Sequence, residues 1–108
     1  MLEARFKLQD AATTAAAGTA IDAGGQAQTH TFYIETSNAT VSAGAVTLET
    51  ARTTTFAGTW APLTTAITPV QNAVSTFTYT GALLAVRARV STSVTGGATV
   101  TVEYVANI

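Results

Sequence analysis

The chain has 108 residues, of which 10% are charged, and its formal net charge at pH 7 is −1. A chain of this length forms one domain with room for a core, and so weak a charge gives no field to steer nucleic acid or an anionic membrane towards it. The absence of cysteine excludes disulfides and thiolate metal sites, and no apolar run approaches the roughly 18 residues that span a bilayer.

Threonine and alanine take the place that charged residues hold in most soluble domains, where charged residues make up about 25% of the chain. The hydrophobic share is 47%, much of it alanine, and threonine recurs as in ARTTTFAGTWAPLTTAIT (residues 51–68). Because threonine and valine are β-branched and favour strands, the composition predicts a β-sheet protein with a neutral, hydroxyl-rich surface.

Strand alternation begins at once in MLEARFKL (residues 1–8), where apolar and charged side chains take turns. This period of two predicts a half-buried strand, and the early charges are unlike the apolar block of a signal peptide. We therefore expect a protein that works unprocessed inside the cell that makes it. The predicted inner face carries Leu2, Ala4, Phe6 and Leu8, and the outer face carries Glu3, Arg5 and Lys7.

Residues 9–28 are rich in alanine, but their glycines and adjacent threonines argue against a stable helix. We predict a loop here with a short strand around Ala17–Ile21, and a brief helical turn at Ala11–Ala17 is the alternative. The segment DAGGQAQ (residues 22–28) lacks the context and the lysine of a phosphate-binding loop, so it indicates a turn.

Clear alternation predicts three further strands, over residues 29–36, 44–52 and 73–81. Each strand directs one row of mostly apolar side chains to one face of its sheet. The rows are His30, Phe32 and Ile34 in the first strand, Val46 and Leu48 in the second, and Ala73, Ser75, Phe77 and Tyr79 in the third.

Another strand is predicted over residues 54–61, where a glycine between two aromatic residues indicates a bulge or a close backbone approach. The following segment LTTAIT is bracketed by Pro62 and Pro69. Since proline has no main-chain donor, LTTAIT must be an edge strand or a loop. The face predicted for residues 54–61 carries Phe56, Gly58 and Trp60.

The last part of the chain, AVRARVSTSVTGGATVTVEYV (residues 85–105), predicts two strands joined by a glycine-containing loop. Cross-strand partners lie on the same side of a sheet, so a hairpin with an odd-length loop is needed to bring the two apolar rows together. A loop of Thr95, Gly96 and Gly97 fits, with Gly97 in the left-handed conformation. The rows are Leu84, Val86, Ala88 and Val90, facing Val100, Val102 and Tyr104, with Val90 opposite Val102 and Ala88 opposite Tyr104.

The same register places Arg89 opposite Glu103 on the outer face. An exposed cross-strand ion pair of this kind contributes about 0.2–1 kcal/mol. The alternative is that Arg87 and Arg89 reach carboxylates of a partner protein.

In total the pattern gives seven or eight short strands, separated by Gly, Pro, Asn and Ser. Such a pattern predicts an all-β protein, and specifically an antiparallel β-sandwich of jelly-roll or Ig-like type. Neither a solenoid repeat nor a linker interrupts it, so residues 1–108 are expected to form one sandwich domain.

No local combination of residues points to catalysis or to a cofactor. His30 stands among apolar neighbours on a predicted strand, so we expect a sheet-face histidine and not a base or a metal ligand. We expect no enzymatic activity and no catalytic, cofactor-binding or metal-binding residues. The carboxylates are scattered, without an adjacent pair for acid–base work: Glu3, Asp10, Asp22, Glu35, Glu49 and Glu103.

Trp60 is the residue that most invites a binding role. A strand tryptophan can stack on a sugar ring or anchor a protein interface. The alternative, which we favour, is that Trp60 is the largest core residue of a small sandwich.

The whole chain resembles small structural proteins of tailed bacteriophages, especially capsid decoration (cement) proteins. The likeness lies in the N-terminus that opens directly as a strand, the Thr/Ala/Gly-rich body, FAGTW (residues 56–60), and YTGALLAVRARVSTSVTGGATVTVEYV (residues 79–105). The resemblance implies a jelly-roll or Ig-like module, often a trimer, that binds the major capsid protein of the assembled shell. It also implies that the protein is made in the bacterial host cytoplasm and resides in the virion.

Low charge fits this role, because a small β-protein with few charges risks edge-to-edge association unless assembly covers its edges. Two other functions stay open. One is a different virion part, such as a tail, fibre or head–tail connector module. The other is a carbohydrate-binding sandwich that uses Trp60 and the tyrosines.

Overall fold

The structure, a computed structural model, describes residues 3–107. Leu2, and the side chains of Glu3 and Ala4, which the alternation assigned to two faces, lie outside the described part. The described residues contain no helix, and hence none able to cross a membrane, so the all-β prediction is confirmed. The strands are β1 (Glu3–Ala12), β2 (Ala16–Ala17), β3 (Ile21–Asp22), β4 (Ala27–Thr36), β5 (Ala43–Ala51), β6 (Ala61–Pro62), β7 (Val74–Ala82), β8 (Ala85–Thr95) and β9 (Val100–Asn107).

The strands form two antiparallel sheets. Sheet A has the order β1-β9-β4-β7, and sheet B has the order β2-β8-β5-β6, with β3 also paired to β8. All pairings between these strands are antiparallel. The predicted sandwich is therefore present, with nine strands of which three have two residues each.

The core lies between the sheets and is built from the inward rows that the alternation predicted. Phe32, Ile34, Val46 and Leu48 are all essentially inaccessible to solvent, as is His30 beside them. Burying one such aliphatic or aromatic side chain contributes roughly 1.5–3 kcal/mol. On β7, Ser75, Phe77 and Tyr79 are half-buried and alternate with exposed residues, as predicted.

The predicted hairpin between β8 and β9 is wrong, because the two strands belong to different sheets. Val90 of β8 pairs with Val46 of β5, and Val102 of β9 pairs with Ile34 of β4. Both strands do bury their apolar rows, but they face each other across the sandwich. Register reasoning within one sheet does not distinguish these cases, since each arrangement satisfies burial of the same residues.

The link between β8 and β9 crosses from one sheet to the other. Gly97 has a positive φ of 108°, as expected, and Gly96 has a φ of 102°. Gly96 is the more constrained position, since a Cβ there would lie 2.6 Å from the Thr40 carbonyl oxygen. Only glycine therefore fits at position 96, where the chain crosses between the sheets.

Two other predicted segments differ from the structure. Residues 54–60 do not form a strand: Phe56 is 47% exposed whereas Trp60 is 2% exposed, so they do not share a face. The chain bends tightly here, and a Cβ at Gly58 would lie 2.5 Å from the Phe56 ring. The bracketed LTTAIT is edge or loop, as predicted, with a single bridge between Ile67 and Val46.

Smaller departures occur at the start of β1 and β8. Leu84 precedes β8 and is exposed, although the alternation placed it in the buried row. Phe6 is partly exposed, because β1 is an edge strand, and its ring stacks on Tyr104 at 6.3 Å.

Between β1 and β4 the chain forms two short strands instead of the one predicted around Ala17–Ile21, and no helical turn forms at Ala11–Ala17.

Candidate interaction surfaces

The outer face of sheet B is built around a shielded ion pair. The Arg87 Nε donates to Glu49 Oε1 over 2.8 Å, and the Arg87 side chain is 14% exposed. The two residues lie directly opposite each other on β8 and β5. The Arg89 Nε lies 3.5 Å from the same Glu49 oxygen, but its side chain is 41% exposed. Arg87 is thus the principal partner of Glu49.

Trp60 covers this ion pair. The Arg87 guanidinium carbon lies 4.2 Å from the centre of the Trp60 ring, which is a cation–π arrangement. The Trp60 indole N–H donates to the Phe56 carbonyl oxygen over 2.9 Å. These contacts hold the segment 52–60 against sheet B. Trp60 is therefore buried, as favoured from sequence, but on the outer side of a sheet and not in the core between the sheets.

The predicted ion pair between Arg89 and Glu103 is wrong, for the reason that removes the hairpin. Glu103 lies on sheet A, where it pairs with Lys7 of β1 and Tyr33 of β4. The alternative role for the arginines, contact with a partner's carboxylates, stays a prediction: Glu49 and Trp60 enclose most of the Arg87 side chain, whereas the Arg89 side chain is the more exposed of the two.

His30 takes part in a buried hydrogen-bond chain between the sheet strands. Its Nε2 lies 3.0 Å from the Gly81 carbonyl oxygen, and its Nδ1 lies 2.6 Å from the Tyr104 hydroxyl oxygen. A carbonyl only accepts, so Nε2 carries a proton, and in the neutral ring with this tautomer Nδ1 accepts from the Tyr104 O–H. Burial raises the pKa of Tyr104 to about 12. Both ring nitrogens are occupied, which fits the expected structural role of His30.

The outer face of sheet A holds a shallow depression of about 420 Å³, here called the sheet A depression. All four strands of the sheet contribute to it. Its lining combines one guanidinium, two carboxylates, a phenol and aliphatic groups, so it presents hydrogen-bonding, charged and apolar groups together. It is lined by Arg5, Tyr33, Glu35, Val74, Thr101, Glu103 and Val105.

The structure brings together some of the scattered carboxylates and leaves others apart. Glu35 and Glu103 meet in the sheet A depression, whereas Glu49 is on the other sheet and Asp22 accepts the Gly24 N–H in the predicted turn. Asp10 pairs with a lysine on its own strand. Within residues 3–107 no three His, Cys, Asp or Glu side chains are grouped so that they could hold a metal ion.

Sequence reasoning missed the Glu49–Arg87–Trp60 cluster and the role of Tyr33. The alternation predicts that the Glu49 and Arg87 side chains both point away from the core. It does not predict that their strands are neighbours in one sheet. Tyr33 stands among outward residues of β4 and was a visible signal, since an exposed aromatic on a strand often contacts a partner.

No family model and no curated protein sequence matches the chain. Among solved structures, the chain is similar to an SPBc2 prophage-derived protein, YomS, with a TM-score of 0.65 and 19% identity over 96% of this chain and 91% of that one. It is also similar to a chain from a structure described as Bacillus endospore appendages that form disulfide-linked pili, at a TM-score of 0.45 and 16% identity over 97% and 81% of the chains. At these identities the first likeness establishes a shared fold, and the second is too weak to support an argument.

Proposed function

We propose that this protein is a non-enzymatic structural component of a tailed-phage or prophage virion. Within that role we propose a capsid decoration protein, which binds the assembled head shell and stabilises it. The observation that carries the proposal is the fold shared with a prophage-derived protein over nearly the whole of both chains.

The strand order supports the jelly-roll form of the predicted sandwich. If β2 and β3 count as one strand, sheet A takes the first, eighth, third and sixth strands, and sheet B takes the second, seventh, fourth and fifth. This is the order of a double-sheet jelly roll, an architecture used by viral capsid domains. The order thus agrees with a role in a virion without identifying the partner.

The sheet A depression is the proposed docking surface. On the outer face of sheet B, the chain's own segment 52–60 covers Arg87, whereas the sheet A depression is open and carries two carboxylates, Glu35 and Glu103. Exposed carboxylates select a partner surface with lysine or arginine. The proposed partners are the major capsid protein and further copies of this chain, arranged as a trimer in the virion after synthesis in the host cytoplasm. Nucleic acid and membrane have no part in the proposal.

The carbohydrate-binding alternative is left with an exposed tyrosine, Tyr33, but without Trp60. Sugar stacking needs an exposed ring face, and Trp60 is buried, with its ring packed on Arg87. The shared fold supports a different virion part, such as a tail, fibre or connector module, equally well. The experiment below distinguishes that role from capsid decoration.

Co-sedimentation with isolated virion parts tests the proposal. Wild-type protein is mixed with expanded head shells, and separately with tails, of the phage or prophage that encodes it. The proposal predicts that the wild type pellets with shells, that Glu35→Arg loses binding, and that the matched control Arg52→Glu, exposed on the opposite side, retains it. Binding to tails alone would replace decoration with a tail role, and binding to neither would contradict both.

A further inference from the structure

The strand edges of the two sheets are protected to very different degrees. An exposed sheet edge presents unpaired N–H and C=O groups, and proteins guard such edges with charge, proline, bulges or short length. The outer strands of sheet B, namely β2, β3 and β6, have two residues each, and β6 contains Pro62. In sheet A, β1 carries the charged residues Arg5, Lys7 and Asp10 and two register shifts.

β7 has none of these protections. It is nine residues long and pairs with β4 through nine consecutive positions without a register shift. No charged residue occurs over residues 53–86, which include the whole strand. In the described part of the chain no strand pairs with its other edge. β7 is therefore a long, regular and uncharged edge, the kind that accepts another strand.

We propose that β7 pairs antiparallel with β7 of a second copy, around a two-fold axis at Thr78, and that this joins two copies of sheet A into one continuous sheet. Thr78 is the middle residue of Val74–Ala82. Pairing centred there aligns all nine residues, and every shift that keeps the same faces together shortens the ladder by at least two residues.

The side chains of β7 are complementary to themselves in this register. On the outer face, Thr76 lies opposite the partner's Thr80, and Thr78 lies opposite its own counterpart. On the inner face, Phe77 lies opposite the partner's Tyr79, and both rings are only half-buried in the single chain. Threonine pairs and aromatic pairs are favourable cross-strand neighbours.

A slip by one residue would place the threonine row of one copy opposite the aromatic row of the other, which faces the other side of the sheet. The complementarity of β7 with itself, together with the absence of any charge that could select a different partner, identifies a second copy of this chain as the occupant. The contact does not depend on the proposed virion role. It has two-fold symmetry, so a trimer would need an additional interface.

Charge substitution at Thr78 tests the axis directly, because that residue meets itself. In sedimentation equilibrium, the wild type is expected to be a dimer, and Thr78→Lys and Thr78→Glu are each expected to raise the dissociation constant by at least about tenfold. An equimolar mixture of the two variants is expected to form heterodimers, since opposite charges then face each other. Thr31→Lys is the matched control, because Thr31 pairs with Thr78 on the same face but lies on the interior strand β4; it is expected to remain dimeric.

The mixing experiment also guards against misfolding, since unfolded variants would not recover a dimer. A monomeric wild type at high concentration would overturn the inference. So would dimers of Thr78→Lys as stable as the wild type, or a charge mixture that stays monomeric although both variants are folded by circular dichroism.

Discussion

The strands β8 and β9 follow each other in the chain and show the same alternation of apolar and polar residues. Their outer faces nevertheless differ, because the chain covers part of one and leaves the other open. On β8, Arg87 is enclosed between Glu49 and Trp60. On β9, Glu103 borders the open sheet A depression beside Tyr33. One charged residue is thus part of the protein's own architecture, and the other is available to a partner.

The two outer faces differ because a segment of the chain folds over only one of them. Segment 52–60 follows β5 in sheet B and folds back over that sheet, where the Trp60 ring covers Arg87. No described segment folds back over β9 in this way, and its outward residues line the depression. A change to one charge of the covered pair leaves the other charge shielded from water without its partner, whereas a change at the open face leaves both charges in contact with solvent.

Removing Arg87 is expected to have the largest effect on stability. Arg87→Ala leaves the Glu49 carboxylate shielded from water without its nearest partner and removes the guanidinium on which the Trp60 ring packs, so the free energy of unfolding should fall by about 3–5 kcal/mol. Urea denaturation measures the change. Arg89→Ala is the control, expected to cost less than about 1 kcal/mol because its side chain is largely exposed. Equal losses in the two variants would contradict the enclosed arrangement.

The inner face of β9 is expected to be the next most sensitive. Val102 is fully buried between the sheets, so Val102→Ala should cost about 2 kcal/mol through lost contacts and a small cavity. Charge reversal at the neighbouring Glu103 should cost under about 1 kcal/mol, since that side chain faces the depression. Thermal unfolding of the two variants compares the faces of one strand, and a larger loss at Glu103 would invert the assignment.

Tyr104 is expected to give an alkaline limit to stability. Its pKa is raised from 10.0 to about 12 in the folded protein, so the unfolded chain ionises first as the pH rises. The stabilisation is fully present below pH 10 and is lost as the pH rises through 12.

Tyr104→Phe should remove this pH-dependent component. It should also cost about 1–3 kcal/mol at neutral pH, because His30 Nδ1 loses its donor inside the core. Urea denaturation at a series of pH values checks both parts. An unchanged pH dependence in the variant would assign the alkaline loss to other groups.

Fluorescence quenching is expected to show the smallest but most local effect. The sole tryptophan is buried, so a polar quencher should reach it poorly in the wild type. In Arg87→Ala, measured where the protein is still folded, quenching should increase because the guanidinium that packs against the ring is gone. Strong quenching of the wild type would place Trp60 at an open surface and restore a binding role for it.

The sequence was sufficient where alternation alone determines the structure. In β4 the rows His30, Phe32 and Ile34 are buried as predicted, because a strand between two others has one inner face and burial fixes which residues occupy it. Pro62 was likewise placed at an edge, since proline has no main-chain donor.

Sequence reasoning failed where two arrangements bury the same residues. Val90 and Val102 are core residues both in a hairpin and in two facing sheets, so their pattern does not decide which strands pair. The error then passed to Arg89 and Glu103, whose partners depend on the sheet. The alternation placed Phe56, Gly58 and Trp60 on one face of a strand. The chain bends tightly at Gly58, so the three residues do not share a face.

Paired double-mutant cycles test most directly whether β8 and β9 lie in different sheets. One cycle combines Glu49→Gln with Arg87→Gln, and the other combines Arg89→Gln with Glu103→Gln. The structure predicts a coupling energy of about 0.5–3 kcal/mol for Glu49 and Arg87, which are in contact, and none above about 0.5 kcal/mol for Arg89 and Glu103. Coupling between Arg89 and Glu103, with none between Glu49 and Arg87, would contradict the two-sheet assignment and restore the hairpin.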